Sequence, residues 1–78
     1  MWNYRLIRRV DEKEIYITEV YYDKLYMPDG WINPNDLGNF IYGETREEIV
    51  QQVNMLKQAL TKPIIIVDGD KILREEIV

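Results

Sequence analysis

The chain contains no histidine, no cysteine and no serine, and these absences exclude more chemistry than any residue present suggests. Without cysteine there is no disulfide, thiolate nucleophile or thiolate zinc site, and without histidine no imidazole acid–base catalyst. No serine nucleophile is possible, and Thr18, Thr45 and Thr61 have no histidine to activate them. Gly43-Glu44-Thr45 is no phosphate loop, since there is no Gly-Lys-Ser/Thr run and acids crowd the position a phosphate would take. Long apolar runs are missing too: Ile64-Ile65-Ile66-Val67 falls far short of the roughly 20 residues of a membrane span, and no signal-peptide pattern opens the chain. These readings imply a cytoplasmic protein that is no enzyme and holds no metal and no cofactor.

What is present is an ordinary globular composition, 78 residues with 46% hydrophobic and 31% charged, read as one domain over residues 1–78. A chain of this size buries only roughly 60% of its unfolded surface, so a homodimer is a natural remedy where no disulfide helps. Two tryptophans, six tyrosines and one phenylalanine exceed what so small an interior hides. Tyr16, Tyr21, Tyr22, Tyr26, Trp31 and Tyr42 are therefore candidates for partner binding, weighed equally against a role in covering sheet and core.

Charge is unevenly placed. Residues 1–10 carry Arg5, Arg8 and Arg9, residues 11–48 carry ten acids against three bases, and residues 49–78 balance at four of each sign. Phosphate would be repelled over most of such a surface, so general nucleic-acid binding is disfavoured and a basic protein partner fits better. The alternative is RNA or another nucleic acid held by Arg5, Arg8 and Arg9, a mode that would show steep salt dependence.

Residues 2–10 alternate as a half-buried strand, with Trp2, Tyr4, Leu6 and Val10 on one face and Asn3, Arg5, Ile7 and Arg9 on the other. A charged turn over 11–14 leads to a second, β-branched and aromatic strand over 15–22, which predicts an antiparallel hairpin. Pro28-Asp29-Gly30 reads as a turn, Trp31-Ile32 as a third strand, and residues 33–39 as a long loop anchored by Phe40-Ile41-Tyr42. Thr45-Arg46-Glu47-Glu48 is a capping box, with the Glu48 carboxylate expected to reach back to the cap residue, and it opens a helix whose apolar stripe is Ile49, Val53, Leu56 and Leu60. Lys62-Pro63 ends that helix, and Ile64 to Val67 suits a strand buried on both faces and a candidate for the sheet's centre. Residues 68–78 form either a hairpin strand, turned at Asp68-Gly69, or a tail. The fold class is α+β: a three-stranded antiparallel sheet, one amphipathic helix packed on one sheet face, and a further strand, in the order β-β-β-α-β.

The Tyr4-x-Leu6 strand and hairpin, followed by Gly43-Glu44-Thr45-Arg46-Glu47-Glu48-Ile49 at the head of an amphipathic helix, resemble the HicB-like single-domain proteins over residues 4–60. Ile49 stands where that family has a small residue, and no DNA-binding tail follows. More specifically, Trp2-Asn3-Tyr4-Arg5, Glu19-Val20-Tyr21-Tyr22-Asp23, Gly30-Trp31, Asn33-Pro34, Tyr42-Gly43-Glu44-Thr45 and Lys62-Pro63 look like short bacterial and phage proteins of unassigned role. The resemblance implies a compact β-β-β-α-β unit and an antitoxin-like or phage- or host-regulatory adaptor.

Two candidate cation sites each lack a needed ligand. Asn33, Asn35, Gly38 and Glu44 fall in an EF-hand register, but Leu37 occupies a position that needs an oxygen ligand. Asp68 and Asp70, with Asp29 or Asp36, are a pair of turn carboxylates without a fixed third ligand.

Overall fold

Residues 2–9 are the axis on which the other elements are laid. The computed structural model describes residues 1–36 and 41–77, and its strands are β1 (Trp2–Arg9), β2 (Ile15–Tyr22), β3 (Pro28–Trp31), β4 (Ile64–Asp68) and β5 (Lys71–Glu76). Between β3 and β4 come a 3₁₀ turn (Pro34–Asp36) and the helix α1 (Arg46–Ala59). Leu37, Gly38, Asn39 and Phe40 lie outside the described residues, and with them the expected Phe40 anchor and the EF-hand position at Leu37.

The class is α+β, but the sheet differs from the expected three antiparallel strands with one more after the helix. All five strands join one mixed sheet in the order β3-β2-β1-β4-β5, with β4 parallel to β1 and the other pairs antiparallel. The parallel pair follows from α1 acting as a crossover that returns the chain in the direction of β1. Residues 68–76 form a hairpin, the first of the two expected alternatives: Gly69 takes a φ of 60°, which a two-residue turn demands and glycine supplies without strain.

β1 is the central strand, and the expected half-burial is corrected accordingly. Tyr4, Arg5 and Ile7 are all buried although they alternate between faces. Pairing sets Trp2, Tyr4 and Leu6 beside Tyr21, Glu19 and Ile17 on one face, and Asn3, Arg5 and Ile7 beside Val20, Thr18 and Tyr16 on the other. Helix α1 lies over the first face. On the second, Tyr22 and Trp31 from one wing of the sheet and Ile72 from the other pack against buried Ile7, Val20, Ile65 and Val67, so the sheet curls over its own centre. All four residues Ile64 to Val67 are buried, as expected of a strand covered on both faces, although β4 lies beside the centre and not at it.

Local details correct the sequence reading twice. The turn between β2 and β3 is not Pro28-Asp29-Gly30, which begins β3, but residues 23–27, where the Asp23 side chain accepts the amides of Leu25 and Met27 at 2.8 and 3.0 Å and Tyr26 adopts a φ of 59°. In the helix the inward residues are Ile49, Gln52, Met55, Leu56 and Ala59, whereas Val53 and Leu60 of the expected stripe are exposed, Leu60 at 68%.

Candidate functional site

The start of α1 is fixed as the capping pattern predicts, with one change of partner. The Thr45 hydroxyl accepts the Glu48 amide at 3.2 Å, but the Glu48 carboxylate accepts the amide of Glu44 at 2.7 Å, one residue before the cap. Gln52, one turn on, grips the backbone of Tyr42: its carbonyl accepts the Tyr42 N–H at 3.0 Å and its amide donates to the Tyr42 carbonyl. These bonds hold the segment 42–45 beside the helix and open a groove of about 640 Å³ between α1 and the β1–β2 hairpin.

Trp2, Tyr4 and Glu19 form the sheet side of the groove, and Tyr42, Gly43 and Glu44 its upper lip. Glu48, Gln51, Gln52 and Met55 form the helix side. Trp2 meets Tyr4 edge to face, with centroids 5.3 Å apart and planes at 86°. The Tyr21 hydroxyl donates to Glu19 at 2.9 Å, which raises the Tyr21 phenol. The Tyr4 phenol is pushed up by burial first, then by Glu19 and by Tyr42. The lining thus combines rings, amides and three carboxylates, with no lysine or arginine among its residues.

The six aromatics nominated from sequence do not form one surface. Tyr42 lines the groove and Tyr21 stands opposite Trp2 in the β1–β2 register beside it. Tyr16, Tyr22 and Trp31 belong to the other face, where Tyr22 and Trp31 pack on the core, and exposed Tyr26 sits at the β2–β3 turn. The groove residues that sequence reasoning passed over are Trp2, Glu19, Glu44, Glu48, Gln51 and Met55. The strand alternation already placed Trp2 with Tyr4. What the sequence lacked was the knowledge that α1 covers that face.

Arg5, Arg8 and Arg9 are engaged within the chain. Buried Arg5 donates to the Tyr22 hydroxyl and the Pro63 carbonyl, each at 2.9 Å, and pairs with Glu75. Burial alone would lower its pKa, but the bonds to Tyr22 and Glu75 more than offset this and leave it raised. Arg8 pairs with Glu76 at 3.0 Å, and Arg9 pairs with Glu12 at 3.4 Å while lying over the Tyr16 ring. Arg5 and Arg9 share one face of β1 and Arg8 takes the other.

No group of three or more carboxylates among the described residues could hold a metal ion, and no described helix is long and apolar enough to cross a membrane. Comparison with protein families, with curated proteins and with solved structures finds no match to this chain.

Proposed function

We propose that the chain is a small, non-catalytic protein-interaction module of the cytoplasm that binds a basic protein partner across the groove between α1 and the β1–β2 hairpin. The observation that carries this reading is the groove's lining, aromatic and acidic at once with no basic side chain in it. Rings give large contact area at low entropy cost, and carboxylates steer a cationic partner toward them. A HicB-like antitoxin that masks a small basic toxin is one form of this function, and a phage- or host-regulatory adaptor is another. The nucleic-acid alternative is weakened because Arg5, Arg8 and Arg9 already face Glu75, Glu76 and Glu12. A homodimer belongs to the same reading: Ile15, Leu60 and Ile77, exposed by 49, 68 and 90%, border a second, apolar cleft that another copy would cover.

The test is affinity capture from the native host with the wild-type chain and with Glu44→Lys, which reverses a groove charge. A stoichiometric basic protein held by the first and lost from the second is the expected outcome. Nuclease-sensitive material in its place, bound equally by both chains, would refute the reading. Light scattering of the purified chain checks the dimer.

A further inference from the structure

The groove between α1 and the β1–β2 hairpin offers three features to a ligand at once. Trp2 is braced edge-on by Tyr4 yet is 40% exposed, so a fixed ring presents part of its surface to solvent. Glu19 and Glu48 are set in place by the Tyr21 hydroxyl and the Glu44 amide. An ionised carboxylate accepts several hydrogen bonds, so each keeps capacity for a donor from outside. Gln51 adds an exposed amide on the helix side.

We infer that the groove takes an arginine side chain of the bound partner, with the guanidinium laid against Trp2 and its N–H groups directed to the carboxylates of Glu19 and Glu48. This deepens the interaction reading above and rests on it. A guanidinium is planar and stacks on a ring while its fork meets carboxylates edge-on, whereas an ammonium is a compact, strongly hydrated point charge that gains less from a flat wall. Burial is the main cause of the raised Tyr4 phenol, and the smaller contribution of the Glu19 carboxylate agrees with negative charge on the sheet side of the groove. Acceptors are already fixed before a ligand arrives, which reduces the ordering needed on binding.

The experiment uses acetylated hexaarginine, hexalysine and hexacitrulline amides as probes. In a Trp31→Phe background Trp2 is the only tryptophan, and calorimetry on the wild-type chain gives the same comparison without that substitution. Hexaarginine should quench Trp2 emission and bind about tenfold more tightly than hexalysine, and hexacitrulline should not bind. By calorimetry, Trp2→Leu and Glu48→Gln should each weaken hexaarginine about five- to tenfold. Glutamine preserves the capping pattern, so a circular dichroism spectrum like the wild type's is expected for that variant. Equal binding of hexalysine and hexaarginine, or an unchanged affinity in Trp2→Leu, would overturn the arginine site. If both groove variants still retain the basic protein captured by the wild type, the arginine site is wrong and the interaction reading stands. If neither the cationic peptides nor any basic protein binds, both are wrong.

Discussion

At Gly43 a single methyl group would collide with the machinery of the helix start. A Cβ built there lies 2.7 Å from Glu48 Cβ and 2.8 Å from Glu48 Oε2. The first of these is close to helix backbone and cannot swing away. The second belongs to the carboxylate that holds the Glu44 amide. Gly43→Ala should therefore lower stability by about 1–3 kcal/mol through forced displacement, measured as the shift in urea midpoint at constant slope. An unchanged midpoint would mean that residues 43–48 are not packed as described.

On the element scale, α1 shows how a hydrophobicity pattern can find a helix and still miss its phase. Thr45 and Glu48 announced the start, and Lys62-Pro63 the end, because capping and proline effects are local and legible in sequence. Only half of the inward face was legible: Ile49 and Leu56 point in as expected, but Gln52 spends its polar group on Tyr42 and can then sit half-buried, while the chain's only alanine, Ala59, is wholly buried. A rule that seeks large apolar residues selects Val53 and Leu60 in their place. The two phases separate in one experiment. Ala59→Leu should destabilise by about 1–3 kcal/mol through overpacking, while Val53→Ser at its exposed position should stay within about 0.5 kcal/mol, both read from thermal melts. The reverse order would restore the stripe through Val53. The same distinction applies to the groove: Tyr42 could be nominated from composition, but Trp2 and Glu19 depended on which sheet face the helix covers.

Considered as a whole, the molecule is tied across its sheet by charge. Arg5 and Arg8 of β1 reach past β4 to Glu75 and Glu76 of β5. Hydrogen bonds from Arg8, then from Arg74, hold the Glu76 carboxyl below its ordinary pKa. A carboxyl depressed in the folded state contributes stability above its unfolded pKa and loses it as pH falls through the folded value. Acid titration of the melting temperature should show that loss as pH falls through and below the ordinary glutamate range, and Glu76→Gln should flatten it. An equally steep profile in the variant would assign the acid sensitivity to other groups. The three arginines of the basic N-terminal segment, conspicuous in sequence, each face a carboxylate of this same chain.

The central position of β1 also orders events in time. One neighbour, β2, follows it after a short turn, but the other, β4, is the strand whose Ile65 pairs with Ile7. Hairpin formation is fast and the distant parallel pairing is slow, because a long loop must close before any contact rewards it. Local contacts alone would therefore give the β1–β2 hairpin while the edge of β1 that pairs with β4 is still open. It is Ile64 to Val67, the most apolar run in the chain, that arrives last to close it, so the interval before that arrival is when another copy could pair there instead.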